Sequence, residues 1–215
     1  MTLPATTSTV VLIIAEAYLL GSIPFGYLLY RLHQGGDVRS FGSGNIGATN
    51  VLRGAGFAAG AATLLLDGVK GFAAVKLAGI LSDRDPKWMG VAAVVVILGH
   101  MFPVFLKLRG GKGVATSCGA FLFIAPLPVF YAAGIFAVVA ALTRYVSLAS
   151  ILAVVGFPLV LYSAGDASIY AVAAAVISAI LIVLRHHSNI QRLIAGEERR
   201  VGGRGEVSHG GSPHR

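Results

Sequence analysis

Apolar residues run through this chain in long blocks separated by short polar breaks. The blocks cover residues 8–30, 57–81, 90–106, 114–142, 146–163 and 168–184. No β signal appears in them, and no internal repeat is visible. A helix needs about 20 apolar residues to cross a bilayer, and most blocks approach that length. Residues 114–142 are too many for one typical span and few for two. Pro126 and Pro128 sit in the middle of that block. An interior proline removes a helical hydrogen bond and clashes with the preceding turn. Two short helices are therefore expected, near 114–125 and 128–142.

The breaks sort by charge. Residues 31–53 carry Arg31, Arg39 and Arg53, residues 107–112 carry Lys107, Arg109 and Lys112, and Arg144 stands alone. The stretch from Arg185 to the end holds Arg185, Arg192, Arg199, Arg200, Arg204 and Arg215. The breaks SDRDPKW (82–88) and SAGDAS (163–168) are balanced or acidic. Cytoplasmic loops carry the excess of Lys and Arg, so the basic set is placed inside. Lys112 and Arg144 can both be inside only if 114–142 crosses an even number of times. The expected fold is an all-α integral membrane protein with seven transmembrane helices, its N-terminus outside and its C-terminus cytoplasmic. One long tilted span at 114–142 is the alternative, and it would leave the C-terminal stretch outside. The first 30 residues hold no Lys or Arg, so the charged start of a cleavable signal is missing. Residues 1–198 are expected to form a single domain. Residues 199–215, ending in GGRGEVSHGGSPHR, are expected to be a disordered cytoplasmic tail.

Composition sharpens this picture. Hydrophobic residues make up 56% of the chain and charged ones 12%, too few for the surface of a soluble domain of 215 residues. The net charge of +8 would suggest nucleic acid, but the basic residues sit in short breaks between apolar blocks. There they report topology and anionic partners. The single cysteine, Cys118, excludes a disulfide within the chain, and it is expected to be a buried packing residue.

Three polar stretches carry the candidate chemistry. FGSGNIGATNVLRGAG (41–56) contains Gly42, Gly44 and Gly47 at the G-x-G-x-x-G spacing, with Asp67 further on. A dinucleotide site needs a strand before the glycines, whereas here an apolar span precedes them. The glycines can still adopt positive φ and let backbone N–H groups converge on an anion. Ser43, Asn45, Thr49 and Asn50 add neutral donors, and Arg53 adds a planar fork. A flexible polar loop remains the other reading of this stretch alone. GHMFPVFLKLRGGKGVATS (99–117) brings a second basic turn, Gly110, Gly111, Lys112 and Gly113. It is not a Walker A loop, because Leu106 and Gly113 stand where that pattern needs Gly and Ser or Thr. It does precede a helix, whose first N–H groups are unpaired. In RHHSNIQRLIAGEE (185–198), His186 and Asn189 share one helix face at a spacing of three. A basic helix on the lipid surface is the competing reading there.

Other polar residues fall inside the apolar blocks. Asp67 and Lys70 are spaced to form an ion pair, Glu16 has no evident local partner, and His100 either orients the 107–113 loop or serves a structural role. Metal binding is unsupported, since no carboxylate cluster joins His186 and His187.

Together the three stretches resemble the motifs of the bacterial acyl-phosphate-dependent glycerol-3-phosphate acyltransferases, the PlsY family. The resemblance covers residues 8–198. It implies a seven-helix enzyme of the bacterial inner membrane with its active site at the cytoplasmic face. The implied reaction moves a fatty acyl group from acyl phosphate to the sn-1 hydroxyl of glycerol 3-phosphate. The products are lysophosphatidic acid and inorganic phosphate, in the first acylation of phospholipid synthesis. By motif, Ser43, His186 and Asn189 are the implied catalytic residues. Gly42, Gly44, Asn45, Arg53, Gly110, Gly111, Lys112, Gly113 and Ser150 are the implied phosphate-binding set, with His100 supporting. No cofactor, metal or nucleic acid is implied, and the partners are the two substrates and membrane lipid, with the chain a monomer. The residues agree with this chemistry, since both substrates carry phosphate. An activated mixed anhydride asks mainly for positioning and charge neutralisation. The competing function is a small-anion transporter, which would place polar groups at the bilayer midplane and show inverted repeats.

Overall fold

The computed structural model describes residues 6–165 and 167–200, and among these all regular structure is helical. Helix α1 (Thr7–Ser22) is capped by Thr6, whose hydroxyl accepts the Thr9 N–H. The block at 8–30 is not one uninterrupted helix. It breaks at Ile23 and Pro24, where proline cannot donate, and resumes as α2 (Phe25–Gln34).

The polar stretch after α2 is shorter than the pattern suggests. Helix α3 (Ala48–Leu81) already starts within it and contains one non-helical residue, Gly56, at φ 86° and ψ 176°. That conformation is open to glycine and hostile to residues with a Cβ. A Cβ on Gly60 would lie 2.6 Å from the Leu52 Cβ, so the piece before the kink folds back onto the piece after it. Helix α4 (Pro86–Met101) starts with Asp85 accepting the Lys87 N–H and Pro86 in its first turn. It ends five residues before the apolar block does, because Pro103 follows and Phe102 to Gly113 form a connecting loop.

The proline break in the fourth block is present. Helices α5 (Val114–Ile124) and α6 (Pro126–Thr143) are separated at Ala125. Helices α7 (Val146–Ser163), α8 (Ile169–Arg185) and α9 (His187–Ile194) complete the described chain. Among the described residues, four helical segments are long and apolar enough to cross a membrane: Thr7–Gln34, Pro86–Leu106, Pro126–Thr143 and Val146–Ser163. The pair α8 and α9, bent by 59°, makes a fifth if taken as one span. Helix α5, with 11 residues, covers only about half a bilayer's hydrocarbon thickness. Helix α3 carries Arg53, Asp67, Lys70 and Lys76 along its length. Helices therefore occur where the seven were expected, but length and hydropathy qualify four or five of them as crossings.

Small residues let the helices approach closely. Gly21 of α1 faces the Val96 carbonyl of α4, and Gly99 of α4 faces the Tyr18 carbonyl, each too near to admit a Cβ. Gly71 of α3 lies against the Thr116 carbonyl of α5, and Gly119 lies against the Gly68 carbonyl in the same way. Ile13, Val75, Val96, Ile97, Met101, Phe121, Leu161 and Ile182 fill the shared core. The outward faces carry exposed Leu12, Leu142 and Leu159, the arrangement of surfaces turned to lipid. Asp67 and Lys70, both 3% exposed, form the expected ion pair at 2.8 Å. Lys70 also donates to the Ile23 carbonyl at the α1–α2 break. Cys118 departs from expectation, being exposed rather than packed away.

Candidate active site

A cavity of about 580 Å³ opens where the three polar stretches meet. Its polar end is walled by Gly42, Ser43, Asn45, Arg53, Lys112, Gly113, His186 and Asn189. Its apolar limb runs between α5, α6, α7 and α8, past Phe121, Val129, Phe136, Val154 and Phe157.

The glycine loops build this site in a way their sequence did not suggest. In the first loop the Gly44 N–H donates to the Phe41 carbonyl, the Gly47 N–H to Asn45 Oδ1 and the Ser43 N–H to Asn50 Oδ1. Asn50, 2% exposed, also donates to the carbonyls of Val38, Phe41 and Asn45. It organises the loop and is not free to hold an anion. Gly44 does not line the cavity. In the second loop the Gly110 N–H donates to the Met101 carbonyl at 3.1 Å and the Gly111 N–H to the His100 carbonyl at 3.0 Å. A Cβ on Gly111 would overlap the His100 imidazole, and one on Gly110 would overlap the His100 carbonyl. These two glycines allow a close backbone approach, with their N–H groups turned from the cavity, which neither of them lines.

Open N–H groups lie instead at two helix N-termini. The first residues of α3 (Ala48, Thr49) and of α5 (Val114, Ala115) line the cavity beside their capping residues Gly47 and Gly113. The first N–H groups of a helix have no intrahelical partner and favour anions.

Lys112 reaches across to α9 and donates to Asn189 Oδ1. Burial pushes its pKa down to about 8. Glu198 opposes that shift, while Arg192, Arg185 and Arg53 reinforce it. Asn189, 5% exposed, passes the contact on, its Nδ2 donating to Glu198 Oε1 at 2.6 Å. Glu198 Oε1 also accepts from Ser147 Oγ at 2.8 Å, and its Oε2 accepts from Arg192 Nε at 2.8 Å. Burial alone would raise the Glu198 carboxyl, but the bonds from Asn189, Ser147 and Arg192 outweigh it and hold the pKa below the usual value. Arg199 lines the cavity beside Gly42, and Arg200 donates to the Tyr145 hydroxyl at 3.1 Å. The start of the expected tail thus rests on the site, and residues 201–215 lie outside the described chain.

His186 sits between α8 and α9, so it and Asn189 meet at a helix junction and not on one helix face. Its Nδ1 is 2.8 Å from the Ile182 carbonyl. A carbonyl can only accept, so Nδ1 carries the hydrogen and Nε2 is left as an acceptor. Burial, then the Lys112 charge, pushes its pKa down to about 4, although the Ile182 contact opposes this. Ser150, 4% exposed, lines the cavity while its Oγ donates to the Val146 carbonyl. His100 lines the cavity next to Asp67, at 3.6 Å from its carboxylate.

Sequence reasoning passed over Glu198, Ser147, Arg192 and the carbonyl-binding role of Arg185. A pair of acids, Glu197 and Glu198, at the end of an otherwise basic segment was the available signal.

Relatives share both the sequence and the shape. The family described as "Glycerol-3-phosphate acyltransferase" matches residues 11–196. A glycerol-3-phosphate acyltransferase of Sinorhizobium fredii is 46% identical over 203 residues, covering 94% of this chain and 96% of the relative. One from Trichlorobacter lovleyi is 49% identical over 187 residues, covering 86% and 94%. Among solved structures, the glycerol 3-phosphate form of PlsY (YgiH), an integral membrane glycerol 3-phosphate acyltransferase, is 38% identical with a TM-score of 0.85, covering 90% of this chain and 96% of that one. The lysophosphatidic acid form of the same protein gives 37% identity and a TM-score of 0.83, covering 90% and 95%. With three polar motifs on one cavity and these matches along nearly the whole chain, the protein belongs to the glycerol-3-phosphate acyltransferase family.

Proposed function

We propose that the chain transfers a fatty acyl group from acyl phosphate to the sn-1 hydroxyl of glycerol 3-phosphate. The observation that carries this reading is the single cavity with a cationic end and an apolar limb. Lys112, Arg53 and the N-termini of α3 and α5 suit two phosphates, and the limb suits one hydrocarbon chain. Ser43, Asn45, Gly42, Gly113 and Ser150 complete the phosphate end. Gly44, Gly110 and Gly111 act through loop shape, with His100 behind them. The residues proposed for both substrates all come from one copy, which supports action as a monomer. In this reading seven spans put the cationic end at the cytoplasmic face, and the basic loops that surround it support that placement.

The chemistry follows from the side chains. The sn-1 hydroxyl oxygen attacks the acyl carbonyl carbon, and the bond from that carbon to the phosphate oxygen breaks. Lys112 and Arg53 balance the charge gathering on the departing phosphate. His186 Nε2 accepts the hydroxyl hydrogen bond and aims the oxygen. With a pKa near 4 it is a weaker base than a phosphate, whose second pKa is about 6. The proton therefore ends on phosphate, and inorganic phosphate leaves. Ser43 and Asn189 position the reacting groups, Asn189 being fixed by Lys112 and Glu198.

The test is phosphate release by purified protein given acyl phosphate and glycerol 3-phosphate, with acyl-CoA and acyl carrier protein thioesters as rival donors. Turnover with acyl phosphate alone is expected. Efficient turnover with a thioester in its absence would replace this donor assignment.

A further inference from the structure

Arg185 closes α8 and lies next to His186, yet it does not line the cavity. Its guanidinium Nη2 donates to the Gly110 carbonyl at 3.1 Å, and its Nε donates to the Gly111 carbonyl at 3.2 Å. The same group lies over the Phe102 ring, 5.5 Å from its centroid. Phe102 opens the loop between α4 and α5, and Gly110–Gly111 lie near its close. One planar group therefore grips both ends of that loop.

All four backbone polar groups of the two glycines are now accounted for. Their N–H groups face the end of α4, and their carbonyls face Arg185. The residues just before them are held by local turn bonds, the Leu108 N–H to the Pro103 carbonyl and the Arg109 N–H to the Leu106 carbonyl, and by Arg39 Nη1 on the Leu106 carbonyl at 3.3 Å, none of which reaches the two glycines. Lys107 and Leu108 adopt positive φ, and Leu108 is 55% exposed. Among the described residues no carboxylate lies within ion-pairing distance of Arg185. Its fork is spent on two carbonyl dipoles and an aromatic face, a geometry that a lysine ammonium cannot copy. Lys112 follows Gly111 directly, and its ammonium is received by Asn189, four residues beyond Arg185. The junction of α8 and α9 thus holds both the backbone and the side chain of the second motif.

We propose that Arg185 is a positioning residue. By clamping Gly110–Gly111 between itself and the end of α4, it sets where Lys112 and the N-terminus of α5 meet substrate phosphate. The proposal rests on the acyl-transfer reading for its kinetic consequence and on contacts alone for its structural one.

The experiment combines steady-state kinetics with hydrogen exchange on Arg185→Gln, Arg185→Lys, Lys112→Ala and Arg185→Gln/Lys112→Ala, all full-length. Arg185→Gln should lower kcat/KM for glycerol 3-phosphate by on the order of 10- to 100-fold. In the Lys112→Ala background the same change should cost less than about threefold, because residues acting through one another are not additive. Arg185→Lys should fail to restore activity. Equal losses in both backgrounds, or full activity with lysine, would overturn the proposal. Hydrogen exchange at Gly110 and Gly111 should quicken in Arg185→Lys while the α1 and α4 amides stay protected. Unchanged protection at the two glycines would also overturn it, and this readout needs no catalysis. A wild-type protein inactive with acyl phosphate would count against the donor assignment and leave the exchange result to decide the clamp.

Discussion

Raising the pH should switch off substrate capture while it stabilises the fold. Lys112 has a folded-state pKa of about 8 against an ordinary value of 10.5, chiefly because it is buried. Phosphate capture needs its ammonium form. With a pKa near 8, about a tenth of free enzyme would hold the proton at pH 9, so kcat/KM should fall about tenfold per pH unit above that point. A bound phosphate dianion next to the ammonium favours the charged form by about one to three pH units. The corresponding limb in kcat should therefore appear at higher pH than the limb in kcat/KM. Stability should run the other way. Below pH 8 both folded and unfolded chains hold the proton, and the folded chain bears the cost of a buried cation. Between about 8 and 10.5 the unfolded chain binds more protons than the folded one, so stability rises with pH. The gap between those values corresponds to on the order of 3 kcal/mol. The assay is phosphate release from pH 6.5 to 10, corrected for spontaneous acyl phosphate hydrolysis, beside thermal unfolding in the same buffers. Lys112→Arg keeps the charge through this range, so its kcat/KM profile should lose the alkaline limb. A flat wild-type profile to pH 9.5, or the same limb in Lys112→Arg, would refute the reasoning.

Arg53→Ala should cost roughly 10- to 150-fold in kcat/KM, the value of a charge-assisted bond to phosphate, and Arg53→Lys should recover little of it because the fork is lost. Folded Arg53→Ala with near-wild-type kinetics would remove Arg53 from the site. Glu198→Gln should lower stability by about 1–3 kcal/mol in thermal or denaturant unfolding, since the carboxamide keeps one oxygen for Asn189 and Ser147 but loses the charge and turns an NH2 donor toward Arg192. Phe121 and Phe157 are the cavity-lining residues furthest along α5 and α7 from their N-termini, and they meet edge-on with centroids 4.9 Å apart. Phe157→Ala should therefore raise relative kcat/KM for longer acyl phosphates in a chain-length series, and an unchanged ranking would mean that the pair does not bound the limb. For topology, single cysteines at the exposed Lys87 and at Ser208 in a Cys118→Ala background should label from outside and from inside respectively. Outside labelling at Ser208 would overturn the even-crossing argument.

The fold was legible wherever a local rule acts alone. Pro126 and Pro128 split the fourth block, and the structure breaks at Ala125. Spacing paired Asp67 with Lys70, and the pair forms. The misses share one cause, which is tertiary context within a few ångströms. Hydropathy carries the third block on to Leu106, but Pro103 and the backbone bonds of 102–111 end the helix at Met101. The charge pattern filed Arg185 under topology, and Glu198 stood at the end of the third polar stretch without a role. Their partners lie 74 residues upstream for Arg185 and up to 51 residues away for Glu198, a separation that no periodicity signals. The glycines were correctly picked out as special, but for another physical reason. They were read as supplying N–H groups, whereas Gly110 and Gly111 supply the absence of a Cβ.

That distinction bears on how the site achieves charge neutralisation. An anion nest built from the loop's own N–H groups would have to be held open by something else. Here the loops satisfy their polar groups internally, Asn50 in the first and Met101, His100 and Arg185 in the second. They end by launching α3 and α5 with their first turns on the cavity. On the proposed reading the donors offered to phosphate are thus helix ends and two cations, fixed before any ligand arrives. A preorganised field costs no reorganisation at the moment of transfer. Under the proposed acyl phosphate reading that is sufficient help, because such a donor is already activated, and it leaves His186, with its low pKa, the work of aiming a hydroxyl rather than storing a proton.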